Sequence, residues 1–282
     1  ATAGKLTIEK NTAELKVTSG TKSFTYDAQA HTYKVYTVTY GSETIEGTEG
    51  QTEFTLSTGD KLTVTPTGDG LNGVTDYSAD YDKNNTFTWT VDNEGSYNKG
   101  TDTIGTISID KADLTITMAD RTLAYTGDTQ YGWKRTDEGK ETVTGLVKNE
   151  TVTITYTPSS GKTADTYDNG AYNTETLSIK DGETDVTENY NLTSATAGKL
   201  TIEKSTEELK VASASRSWPY DNTTHTYKVY TVTYGTEVLE GNEGQTEFTL
   251  STGDKVTVTP TLKGANGVKN VSDSGANSFT WA

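Results

Sequence analysis

His31-Thr-Tyr-Lys-Val-Tyr-Thr-Val-Thr-Tyr-Gly41 recurs letter for letter at His225 to Gly235. The eight residues from Tyr33 to Tyr40 read as a strand with apolar or aromatic side chains on both faces. Tyr33 and Val35 lie on one face, and Tyr36, Val38 and Tyr40 on the other. β-branched Thr and Val alternate with Tyr, residues that fit a pleated surface better than a helix. One reading gives this strand a Tyr-lined outer face whose rings pack on cross-strand neighbours. The other gives it an aromatic platform for sugar rings.

The duplication extends outward on both sides. Ala1 to Lys10 recurs as Ala195 to Lys204, and Gly50-Gln-Thr-Glu-Phe-Thr-Leu-Ser-Thr-Gly-Asp-Lys61 recurs as Gly244 to Lys255, an offset of about 194 residues. So long an offset holds two units. The middle one opens at Asp113-Leu-Thr-Ile-Thr-Met118, as the others open at Glu14-Leu-Lys-Val-Thr18 and Glu208-Leu-Lys-Val-Ala212. Ile107-Ser-Ile-Asp-Lys111 closes the first unit as Leu200-Thr-Ile-Glu-Lys204 closes the second. The order is therefore a terminal strand of a preceding repeat (1–11), repeat 1 (12–111), a divergent repeat 2 (112–204) and repeat 3 (205–282). Repeat 3 is a close copy of repeat 1 that stops short of its final strands.

Period-two alternation runs through Lys61-Leu-Thr-Val-Thr-Pro66, Thr151-Val-Thr-Ile-Thr-Tyr-Thr157 and Thr86-Phe-Thr-Trp-Thr90. Clusters of Gly, Asn and Asp separate the strands, and helical spacing never lasts two turns. The expected fold class is all-β: tandem Ig-like β-sandwich repeats of about 95 residues each, arranged end to end as an elongated rod. Stiffness is expected at the joints. From Ile109 to Leu114 and from Ile202 to Leu209, a last strand runs almost directly into the next first strand, with no flexible linker. The orphan strand 1–11 fits a window on a longer array. It also fits head-to-tail strand addition onto a neighbour's unfinished repeat, although it copies the end of repeat 2 rather than that of repeat 1.

Composition bounds the function. Thr makes up roughly a fifth of the chain, and a hydrophobic fraction of 31% suits thin sandwich cores rather than one large core. A formal net charge of -16 repels nucleic acid and anionic membrane surfaces. There is no Cys, which removes disulfides and thiolate metal sites. No apolar run is long enough for membrane insertion of this segment.

Motifs that suggest chemistry fail on context. Gly68-x-Gly70-x-x-Gly73 fits a dinucleotide fingerprint, but Val74-Thr-Asp-Tyr-Ser78 opens no helix to meet a phosphate. Ser160-Gly-Lys-Thr163 ends like a phosphate loop with Tyr156 where the first Gly belongs. Ser159-x-x-Lys162 has a nucleophile's spacing but lies in a Pro- and Gly-marked loop. His31 and His225 are equivalent residues, and neither repeat holds a second His for a triad or zinc site. Asp165-Thr-Tyr-Asp-Asn-Gly170 offers oxygen ligands for calcium without EF-hand spacing, so no cofactor is expected beyond a calcium option. No catalytic residue is expected.

The chain resembles a family. Repeat 2 carries Tyr125-Thr-Gly127, Glu150-Thr-Val-Thr-Ile-Thr-Tyr-Thr-Pro158, Thr166-Tyr-Asp-Asn169, Asp185-Val-Thr-Glu-Asn-Tyr-Asn191 and Gly198-Lys-Leu-Thr-Ile202. That series is similar to the bacterial MBG and YDG-type Ig-like repeats of large secreted surface proteins. Tyr26-Asp-Ala28 and Tyr220-Asp-Asn222 match the family's opening Tyr-Asp-Gly, with Ala and Asn in place of Gly. The resemblance implies stalk or spacer repeats of a cell-surface adhesin or filament. The implied location is extracellular, on a bacterial surface, with the absence of Cys favouring a Gram-positive one, and the partners are neighbouring repeats, further copies, or a host glycan or protein. The alternative is a ligand-binding module that uses the aromatic residues Tyr36, Tyr40, Trp89, Tyr230, Tyr234 and Trp281.

Overall fold

A computed structural model describes all residues, 1–282. The chain is mostly β, in several small sheets. In repeat 1 the strand Glu14–Ser19 pairs antiparallel with Tyr36–Tyr40, which pairs in turn with Glu43–Glu46. A second sheet runs Glu53–Thr55, Lys61–Pro66, Phe87–Val91. The alternation of Thr with apolar residues sends Leu15, Val17, Tyr36 and Val38 from one sheet toward Phe54, Leu62, Val64, Phe87, Trp89 and Val91 from the other. Together they form one buried cluster. Repeat 3 copies this arrangement in register: Leu15 faces Tyr40 as Leu209 faces Tyr234, and Glu53 faces Thr63 as Glu247 faces Thr257.

Two parallel pairings recur in repeats 1 and 2. The first strand lies beside a late one, Glu14–Leu15 against Asn98–Lys99 and Ala112–Met118 against Tyr190–Thr196. The second strand lies beside the last, Lys22–Thr25 against Ile107–Asp110 and Arg121–Ala124 against Leu200–Glu203. Gly68–Asn72 and Leu262–Asn266 form single helical turns inside what the sequence presents as plain turns. The dinucleotide-like glycines thus belong to that turn, with no helix after Gly73.

The chain divides into two compact units. One comprises residues 1–117, 142–155 and 172–196, the other residues 118–141, 156–171 and 197–282. Their boundary falls within the repeat 2 sequence. The first unit therefore contains the passage from repeat 1 to repeat 2, and the second unit the passage from repeat 2 to repeat 3. The two passages differ. Only Lys111 separates Ile107–Asp110 from Ala112–Met118, whereas residues 204–208 separate Leu200–Glu203 from Leu209–Ser213. The direct run-on expected for both holds for the first alone. No helix is long and apolar enough to cross a membrane.

Candidate functional site

Of the buried polar residues, Ser19 and Asn85 bond within repeat 1 and Ser159 within repeat 2, while Glu150 and Asn189 lie at the joint between repeats 1 and 2. At the first joint Glu150, which directly precedes the strand Thr151–Thr157, is buried to 6% exposure. Tyr26 of repeat 1, itself only 4% exposed, donates its hydroxyl to Glu150 Oε1 at 2.8 Å. Tyr190 of repeat 2 donates to Oε2 and accepts the Val147 amide at 2.9 Å. The two tyrosine rings meet edge to face with centroids 5.5 Å apart. Burial, with the carboxylate next in weight, pushes both phenol pKa values well above the ordinary value of 10.

Around this knot Asn189 accepts the Tyr77 amide at 2.6 Å and donates to Asp76 at 2.8 Å. Lys111 lies over the Tyr77 ring at 4.5 Å, and Lys148 donates to the Ala28 carbonyl at 2.9 Å. Beneath it, Tyr26, Val74, Ile107 and Ile109 of repeat 1 share one buried cluster with Ala112, Leu114, Ile116, Ile154, Ile179, Val186 and Tyr190 of repeat 2. The hydrophobic core is continuous across this joint.

The second joint reuses the design. Tyr125, placed after its strand as Tyr26 is after Lys22–Thr25, donates to Asp254 Oδ2 at 2.7 Å. Asp254 directly precedes the strand Lys255–Pro260, as Glu150 precedes its own. The phenol and the Thr252 hydroxyl hold the Asp254 carboxyl below its ordinary pKa. Two residues on, Gly127 has φ +83° and lies against the Thr252 carbonyl so closely that no Cβ would fit. No buried cluster spans this joint; the core of repeat 3 draws on residues 209 to 279 alone.

The aromatic residues expected to offer a binding face are mostly turned inward. Tyr36 and Tyr230 are fully buried, and their hydroxyls find no hydrogen-bond partner in the protein. The pleat sends Tyr36, Val38 and Tyr40 toward the facing sheet, so this is the core face and not an outer platform. Tyr40 and Tyr234 pack against the core edges. Trp89 is buried, donates to Asp102 at 2.9 Å and carries Lys99 over its ring at 4.6 Å. Only Trp281, 44% exposed, offers an open ring.

His31 and His225 each sit 2.9 Å from a carboxylate four residues earlier, Asp27 and Asp221, and stack on Phe24 and Trp218. The Thr223 hydroxyl and amide, then the His225 ring, draw the Asp221 pKa down to about 2. In repeat 3 the Thr223 hydroxyl joins the pair, 3.0 Å from His225 Nε2 and 2.7 Å from Asp221, and in repeat 1 Asp27 also accepts the Gln29 amide at 2.8 Å, so both are turn-stabilising clusters. No group of three or more His, Asp or Glu side chains converges as metal ligands, and Asp165 is engaged with the Thr166 amide. The joint residues Tyr26, Tyr125, Glu150 and Asp254 were not singled out as a site from sequence. Their signal was available, because each carboxylate directly precedes an alternating strand and each Tyr directly follows a short one.

No family model matches this chain, no curated protein matches it, and no solved structure matches it.

Proposed function

We propose that the chain is a structural element of a bacterial surface protein. It is a series of Ig-like sandwich repeats, of the MBG and YDG type, that holds a functional part away from the envelope as a stiff stalk. The observation that carries this reading is the first joint. There a continuous apolar core and a buried Tyr–Glu–Tyr knot tie one repeat to the next. A joint built for swinging would leave those groups in water, because burying them is worthwhile only where the two repeats stay in one relative position. The same Tyr-to-carboxylate link at the second joint extends the reading along the chain. The net charge of -16 suits a solvated, self-repelling extracellular polymer.

Small-angle scattering of the whole chain tests the stalk. Core strands such as Glu14–Ser19 and Ala112–Met118 span roughly 20 Å at the usual rise, so repeats set end to end give a maximum dimension several times that length. A value near that of a single globule of the same mass overturns the reading. Saturable binding on a glycan array would replace the spacer with a ligand-binding module.

A further inference from the structure

The strands by which the chain enters and leaves repeats 1 and 2 are paired differently from the rest. In repeat 1 the first strand, Glu14–Ser19, lies parallel to Asn98–Lys99, and the second, Lys22–Thr25, lies parallel to the last, Ile107–Asp110. In repeat 2 Ala112–Met118 lies parallel to Tyr190–Thr196, and Arg121–Ala124 to Leu200–Glu203. Pairings within the sheets, such as Glu14–Ser19 with Tyr36–Tyr40 and Lys61–Pro66 with Phe87–Val91, are antiparallel. We infer that the parallel ladders are tension clamps, which make the chain a load-bearing element whose repeats resist being pulled open lengthwise. The direction of the load is taken from the stalk reading above.

Connectivity decides how each ladder is strained. Tension along the chain reaches Arg121–Ala124 at Arg121, its N-terminal end, and Leu200–Glu203 at Glu203, its C-terminal end. Arg121 faces Leu200 and Ala124 faces Glu203, so the two pulled residues stand at opposite ends of the ladder. The strands can part only by sliding past one another, and the evenly spaced bonds of a parallel pair then yield together. Lys22–Thr25 and Ile107–Asp110 are strained in the same sense, with Lys22 facing Ile107 and Thr25 facing Asp110. An antiparallel pair pulled at one end opens bond by bond, each step losing only a single weak interaction.

Three further features suit this role. The ladders run past the strand limits: Lys22 and Tyr26 donate to the Thr106 and Asp110 carbonyls at 2.9 Å, and Tyr125 donates to that of Glu203 at 2.9 Å. Water competes for a stretched hydrogen bond, and the apolar side chains of the last strands are shut away from it. Ile107, Ile109, Leu200 and Ile202 are all buried. Finally, the end of each ladder where tension arrives through the last strand is held by the repeat that follows. Tyr26 gives its amide to Asp110 and its hydroxyl to Glu150, and Tyr125 gives its amide to Glu203 and its hydroxyl to Asp254. Sliding a last strand out of place thus means parting it from a tyrosine that the next repeat also grips.

Single-molecule pulling on the full chain tests the inference. The sequence has no Cys, so introduced pairs fix the points of attachment. Ala119→Cys with Lys204→Cys grips opposite ends of the ladder between Arg121–Ala124 and Leu200–Glu203. Thr126→Cys with Lys204→Cys grips the same end of it. These side chains are exposed, so both double variants should melt like the parent. At one loading rate the first pair should unfold at a force several-fold higher than the second. Leu123→Pro should bring the higher force down toward the lower one. Arg121 and Tyr125 donate to the ladder, so the alternation turns the Leu123 amide inward and that of Thr122 outward. Thr122→Pro should therefore lower the force less.

Equal forces in the two directions, or equal losses from the two prolines, overturn the inference. Should Leu123→Pro fail to fold, the comparison of directions decides alone. The stalk reading stands or falls separately, because tension straightens a flexible chain before it strains a ladder. A chain that scatters as a compact globule yet shows the directional difference keeps the clamp and loses the stalk. A long, stiff chain with equal forces does the reverse.

Discussion

The two joints make the same contact in different surroundings, and the difference separates a motif from its strength. Tyr26 reaches Glu150 through a continuous apolar core, with a second phenol on the same carboxylate. Tyr125 reaches Asp254 near the surface, with a longer connection beside it and no shared core below. A hydrogen bond exposed to water is readily exchanged for one to solvent, while a buried one that loses its acceptor leaves donors with nowhere to turn. The first joint should therefore be the stronger, although the chemistry of the two is nearly the same.

The largest effect expected is from Glu150→Ala. It strands the hydroxyls of Tyr26 and Tyr190 in a dry site and should cost about 3 kcal/mol or more. Calorimetry should register it as a fall in melting temperature of the first compact unit. Asp254→Ala, the same deletion at the second joint, should leave melting almost unchanged, because water replaces the acceptor for Tyr125. Equal losses at the two sites would end the distinction drawn between them.

Next comes Gly127→Ala. At the second joint the close approach is made by backbone, and a methyl group there meets the Thr252 carbonyl at a positive φ. Strain and displacement together should cost about 2 kcal/mol. The joint that tolerates loss of its carboxylate should thus be sensitive to this glycine. Limited proteolysis of the connection at residues 204–208 is the direct check.

The third effect has the opposite sign. Ala28 holds the position in repeat 1 that Gly127 holds in repeat 2, with φ +58°. A Cβ in the left-handed region is strained, so Ala28→Gly should stabilise the first unit by up to about 1 kcal/mol, less what glycine's extra chain freedom takes back. Asn222, at φ +61° in repeat 3, is better tolerated there, and Asn222→Gly should gain less by thermal melt.

How much of this could be read in the residues follows from what each signal encodes. The duplication and the Thr alternation in Lys61–Pro66 disclosed strands and repeat lengths, since periodicity records which face is buried. Alternation cannot say which of two apolar faces is the core. Tyr36 and Tyr40 were therefore open to an outward reading until the facing sheet was in place. Joint geometry was hidden for a related reason. Glu150 and Asp254 look like ordinary turn carboxylates, and their meaning depends on phenols 124 and 129 positions away in the chain. The unequal connections at Lys111 and at residues 204–208 depend on where hydrogen-bonded ladders stop, which a run of strand-forming residues leaves undefined.

The smallest effect at neutral pH is one that appears only in alkali. Tyr26 and Tyr190 have folded-state pKa values raised above the unfolded value of 10, chiefly by burial and then by Glu150. Folding therefore favours their neutral form. The stability this contributes is fully present below pH 10 and is lost as pH rises from there toward the folded values, where the unfolded chain releases protons that the native one retains. Tyr125 is shifted the same way, but by its bond to Asp254 first, in a site open to solvent and salt. Denaturant titrations at successive pH values above 10 should thus show the first unit weakening before the second. Glu150→Gln should flatten that slope by removing the charge that opposes phenolate formation, and raising the salt concentration should alter the second unit more than the first. If both units lost stability in parallel and salt acted on them equally, burial could not be what distinguishes the two joints.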